Sequence, residues 1–192
     1  MANLVQNVVA GKPLATGGIL SGPLTAPLPT SETGTVDATI VGVGYISDDG
    51  VSLTTGRDTE KIKAWGGDVV KIVQSEHSVT LEYSMIEAAR AEVNREVYGE
   101  PNVTATAATA AAGNKLAVKM TADQLPHRVR VLEIKDGDAR IRLVAPDSQV
   151  TEVGDVTFQD ASVIAYPVTV ECLPDASGVK LYMYSDDGKK TA

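Results

Sequence analysis

From His77 to Met85 the chain reads HSVTLEYSM, with Val79, Leu81, Tyr83 and Met85 alternating with Ser78, Thr80, Glu82 and Ser84. A period of two places alternate side chains on opposite sides of an extended backbone, so this segment is a strand with one face buried and one face wet. Such a strand needs neighbours, and the C-terminal half provides them. LAVKM, HRVRVLEIKDGDARIRLVAP, VGDVTF, VIAYPVTVEC and VKLYMYSDDG follow one another at the spacing of an all-β sandwich or barrel. Within the second of these, Val129, Val131 and Ile134 approach a turn at Asp136-Gly137 and Ile141 and Leu143 leave it, a hairpin signature. Aromatic residues make up only 4%, with one Phe158 and one Trp65, so the core must be Val-rich β layers rather than a helical bundle.

One helix is expected, over about 85–98. Ser84 is placed to cap it, Glu87 stands three residues on as the capping-box partner, and Ile86, Ala89, Val93 and Val97 share a face. Gly99 and Pro101 then stop it. Upstream, residues 1–35 are nearly uncharged and rich in breakers, which reads as an extended N-terminal arm with one short strand near Gly18 to Leu24; Pro27 and Pro29 hold an extended backbone. Residues 36–192 read as a single β domain. It begins with the β segment Val36 to Ile46, in which Gly42 and Gly44 mark a bulge or a close backbone approach. The Ala/Thr-rich run after Asn102 reads as a loose edge strand or loop.

Catalysis requires convergent groups, and the sequence carries no nucleophile elbow, no HExxH, no phosphate-cradling loop and no dinucleotide fingerprint. No catalytic residue, cofactor or metal ligand is therefore assigned. His77 reads as a polar-face strand residue and Cys172 as a buried structural thiol. The acidic pairs Asp48-Asp49 and Asp186-Asp187, each before a glycine, and Asp136-Gly137-Asp138 lack the ligand series of a calcium loop and read as turns between strands. A net charge of −8 argues against binding to phosphate backbones or anionic membranes. The N-terminus lacks the basic and apolar regions of a secretory signal, which predicts a protein made and kept in the cytosol.

The stretch from about 48 to 68 is expected to be a long inter-strand loop. Long unstructured connections are usually functional. Alternating signs at Arg57, Asp58, Glu60, Lys61 and Lys63 suit pairing with another surface, and Trp65 is the side chain most enriched at interface hot spots. The competing reading has Trp65 packed beneath its own loop.

APLPT, then VGYISDDGVSLTTGRDTEKIKAWGGDVVKIVQSEHSVTLEYSMIEA, then a helix ending in VYGEPNVT, together resemble the major tail (tail tube) proteins of long, non-contractile-tailed bacteriophages, especially those of actinobacteria. The likeness runs from about Gly11 to the last strand and is most specific between Gly44 and Tyr98. It implies a β-sandwich or barrel with a flanking helix and without a C-terminal immunoglobulin-like domain. It also implies hexameric rings that stack into a tube around a tape-measure protein, joined at their ends by terminator and tail-tip proteins, with genomic DNA passing through unread. On that likeness Asp48, Asp49, Arg57, Asp58, Glu60, Lys61, Lys63 and Trp65 contact an adjacent ring or subunit, the N-terminal arm crosses to a neighbour, and the protein ends in the virion after assembly in the host cytoplasm. Two other readings compete: a monomeric β-sandwich module that binds a receptor or carbohydrate between Tyr45 and Trp65, and the tube protein of a secretion system.

Overall fold

The structure, a computed structural model, describes residues 7–14 and 18–189. Residues 1–6 and 15–17 of the expected arm lie outside the described residues. The chain is mainly β, as its alternation requires. Its strands are β1 (Ile19–Pro23), β2 (Val41–Gly42), β3 (Ile46–Lys63), β4 (Val69–Met85), β5 (Val103–Thr106), β6 (Lys115–Val118), β7 (Arg128–Asp136), β8 (Ala139–Val153), β9 (Tyr166–Leu173) and β10 (Tyr182–Asp186). One α-helix, α1 (Ala91–Tyr98), lies between β4 and β5.

Eight strands form one antiparallel sheet in the order β2-β1-β7-β8-β9-β4-β3, with β10 also paired to β8. Strand β8 organises it. One edge of β8 pairs with β7, and its other edge is shared by β10 over Arg140 to Val144 and by β9 over Asp147 to Val153. Pro146, which has no N–H to give a ladder, sits at the handover between the two partners. β7 and β8 are joined at Gly137-Asp138, where Gly137 takes φ 61° in the first central position, as a two-residue hairpin of this kind needs. β5 and β6 form a separate two-stranded sheet beside the helix.

Val79, Leu81, Tyr83 and Met85 of β4, Leu132 and Leu143 of the β7-β8 hairpin, and Tyr166, Val168 and Val170 of β9 meet in one core. Val93 and Val97 of α1 close it. The opposite face of β7 and β8 is buried too: Val129, Val131 and Val144 lie beneath Ala26, Leu28, Val36 and Ile40. Arg142 fastens that cover by donating to the carbonyl oxygens of Ser31 at 2.6 Å and Gly34 at 2.7 Å while also pairing with Glu133. Residues 18–40 therefore lie on their own sheet, and the expectation of an arm crossing to a neighbour does not describe them.

The helix begins later than its sequence predicts. Met85 pairs with Ile46 and Tyr166 and is fully buried, and Ser84 pairs with Pro167, so the sheet ladder holds both residues in β4. The helix N-cap is Arg90, without a side-chain cap bond. Glu87 is used elsewhere: its carboxylate accepts from the Tyr45 N–H at 2.7 Å and from Arg90 at 3.2 Å. Gly99 does end the helix. The expected strand VGDVTF is not formed, because β8 runs on to Val153 and the chain from Gly154 to Ala165 is a connection. Val36 to Ile46 keeps only the short β2 as strand before β3 begins.

Candidate assembly interface

The expected loop at 48–68 is a β-hairpin. β3 and β4 pair from Ile46 opposite Met85 to Lys63 opposite Val69, and the turn is only the five residues from Ala64 to Asp68, closed by Ala64 N–H to Asp68 O at 2.8 Å. Backbone pairing overrode the polar sequence, because strand hydrogen bonds depend on the main chain and not on side-chain polarity. Asp48 and Asp49, expected in a turn, lie instead in a wide bulge between the Ile46 and Val51 pairs at the base of the hairpin.

Only the base of the hairpin joins the sheet. β9 covers β4 from Thr80 to Met85; beyond Val79 toward the turn, β4 pairs with β3 alone. From Arg57 through Glu76 every residue is exposed, including Ile62, Val69, Val70, Ile72 and Val73. Trp65 stands at the tip with relative exposure 107%, so the reading that packs it beneath its own loop is overturned. At about 3.3 Å per residue, the nine residues from Thr55 to Lys63 extend roughly 30 Å beyond the core. A two-stranded ribbon alone is marginally stable in water, and solvent-exposed apolar side chains on both of its faces mark it for a partner.

The predicted contact residues fall into three groups. Asp48 and Asp49 are at the base, Arg57, Asp58, Glu60, Lys61 and Lys63 are along β3, and Trp65 is at the tip. Tyr45 and Trp65 lie at opposite ends of the 18-residue β3, so no single groove holds both, and the receptor-module reading loses its ligand site.

A second surface had no signal in any single segment. Register places Ser52, Glu82, Thr169 and Glu152 on one face, with Thr54, Thr80, Glu171 and Gln149 in the next row. This is the face of β3-β4-β9-β8 turned away from the helix: Ser52, Glu82 and Glu152 are exposed, while in the second row Glu171 pairs with Lys180 at 3.7 Å and Gln149 donates to the Leu125 carbonyl oxygen at 2.5 Å. Glutamates on three separate strands come together only once strand order is known. Among the described residues no group of three His, Cys, Asp or Glu is placed to hold a metal ion.

Behind these surfaces the body is fixed by buried charge. Arg130 on β7 pairs with Glu96 on α1 at 2.6 Å and donates to Ser148 Oγ at 2.8 Å, and Arg128 meets the same Glu96 at 3.1 Å. Burial opposes the charged guanidinium of Arg130, but Glu96 and Tyr83 outweigh it and hold the group more basic than usual. The Tyr83 hydroxyl lies near Arg130 without a hydrogen-bond partner, and burial pushes its pKa up to about 12. Burial likewise raises the Cys172 thiol to about 11, as fits an inert core cysteine.

The profile of the family described as phage tail tube protein matches residues 3–192. The chain belongs to that family. No curated protein matches it. Among solved structures, the chain of this tail tube family member is similar to the tube-terminating cap of the anti-feeding prophage, at 10% identity and TM-score 0.48, over 97% of this chain and 100% of that one. It is similar also to the sheath/tube terminator of the extracellular contractile injection system PVC in its extended state, at 9% identity and TM-score 0.46, over 89% and 96% of the two chains. A third likeness, at 8% identity and TM-score 0.46, is to the PVC sheath-tube complex in the extended state, over 96% and 100%. The tail tube family is structural rather than enzymatic, and its members are components of the virion.

Proposed function

We propose that the chain is the tube subunit of a long, non-contractile, siphovirus-type tail. Copies assemble in the host cytoplasm into hexameric rings that stack around a tape-measure protein, are closed by terminator and tail-tip proteins, and later conduct DNA without reading its sequence or touching a membrane. The observation that carries this reading is the β3-β4 hairpin, which leaves apolar side chains exposed on both faces of a ribbon that the rest of the described chain does not cover. On this reading Asp48, Asp49, Arg57, Asp58, Glu60, Lys61, Lys63 and Trp65 line the contact between copies. The sheet face bearing the exposed Glu82 and Glu152 suits a lumen, since like charge keeps a polyanion from adhering.

The test is electron microscopy and sedimentation of the purified protein over rising concentration. Rings and tubes of uniform width are expected. Trp65→Ala combined with Asp58→Lys should suppress them while circular dichroism stays unchanged, since neither side chain packs in the core. A particle that remains monomeric at the highest attainable concentration rejects the reading.

A further inference from the structure

The hairpin arm sorts its charges by face. Along β3 side chains alternate without interruption from Val51 to Lys63, so Arg57, Thr59, Lys61 and Lys63 share one face and Asp58, Glu60 and Ile62 the other. Cross-strand partners share a face with the residue they oppose. The first face thus gains His77, Gln74, Ile72 and Val69, and the second gains Glu76, Val73 and Lys71. The Arg57 guanidinium donates to Gln74 Oε1 at 3.1 Å, as side chains on one face can. Two bulges in β4, at Ser75 and Val70, keep this sorting in register along the arm. The first face is cationic with no carboxylate, and the second is acidic with one lysine. Each carries two exposed aliphatic side chains: Ile72 and Val69 on the cationic face, Ile62 and Val73 on the acidic one.

Within one chain the two faces can never meet. Asp58 and Glu76 even stand directly opposite each other, an arrangement that disfavours the isolated hairpin. Both features are resolved if a cationic face covers an acidic one from another copy, with aliphatic residues of each side against the other. We propose that the occupant of each arm face is the opposite face of the same arm in a second copy, cationic to acidic, giving a head-to-tail contact with a fixed direction around the assembly. Such a contact is heterologous, so instead of stopping at a dimer it propagates, into a ring where the rotation between copies closes and into an open filament where it does not. The proposal rests on the tube reading but adds its own requirement, that the two faces of the arm carry opposite charge.

Two single-face variants and their mixture test it. Lys61→Glu with Lys63→Glu makes the whole arm acidic, and Asp58→Lys with Glu60→Lys makes it basic. Like charge across the contact is costly, so each variant alone should need at least about tenfold more protein than wild type to sediment as tubes. Mixed in equal amounts, the acidic and basic arms complement each other, and tubes should return with the two variants in equal proportion. A third chain carrying all four substitutions exchanges the faces and should assemble with itself but not join wild-type tubes. Wild-type assembly should weaken between about 0.05 and about 0.5 M salt as screening shortens the reach of the charges. Circular dichroism and thermal melting of the dilute proteins report folding separately; should the single-face chains misfold, the exchanged chain decides the matter. Single-face variants that assemble like wild type, or a mixture that stays inactive although both chains are folded, overturn the proposal and leave the tube reading standing. Wild type that never assembles removes the tube reading itself.

Discussion

Arg130 on β7 and Glu96 on α1 form an ion pair of 2.6 Å with both side chains 2% exposed. This pair, extended by Arg128 and Ser148, joins the buried Val93 and Val97 in holding a helix of eight residues to the sheet. Glu96→Ala leaves two arginines facing a buried vacancy and should destabilise the monomer by about 3–5 kcal/mol. Replacing the pair together, as Glu96→Leu with Arg130→Met, should cost much less, because no uncompensated charge remains. Urea unfolding of the dilute protein distinguishes the two.

The protein should lose stability in alkali through two core groups. Between pH 10.0 and about 12 the unfolded chain gives up the Tyr83 proton while the folded chain retains it. Cys172 behaves in the same way between pH 9.0 and about 11. The unfolded state then binds fewer protons than the native state, so stability is complete below about pH 9 and falls as pH rises through both windows. Tyr83→Phe with Cys172→Ala should flatten the slope of the urea midpoint between about pH 9 and about pH 11.

Gly44 and Glu87 should prove coupled. Gly44 has φ 97°, and a Cβ added there would lie 2.8 Å from the Glu87 carboxyl carbon. The same carboxylate holds the Tyr45 N–H. Gly44→Ala is expected to cost about 1–3 kcal/mol from backbone strain and crowding. In a Glu87→Ala background the crowding part should vanish, and a double-mutant cycle measures it.

The acidic sheet face should affect DNA passage and not folding. Glu82→Lys with Glu152→Lys changes two exposed side chains, so the thermal midpoint should barely move. In assembled particles the rate of DNA release triggered in vitro should fall, most strongly at low salt where the lumen's field reaches farthest. An unchanged rate would place this face outside the tube.

Much of the fold was legible where one face of a strand is buried. His77 to Met85, the hairpin at Asp136-Gly137 and the end of the helix at Gly99 all follow from local pattern and turn chemistry. The start of the helix was not legible, since Ser84 and Met85 suit a cap and a helix equally well until their sheet partners are known. Composition singles out the residues along 48–68, but their secondary structure does not follow from it. A ribbon exposed on both faces has no apolar alternation to read.

The amino-acid sequence by itself determined that this is a Val-rich β protein with a helix after its best-patterned strand, because those properties reside in period and composition. Tertiary structure alone decided that 46–85 is a projecting hairpin, that its charges divide between two faces, and that Glu82, Glu152 and Glu171 share a surface. These depend on which strand lies beside which and in what register, and that is fixed by backbone pairing between residues far apart in the chain.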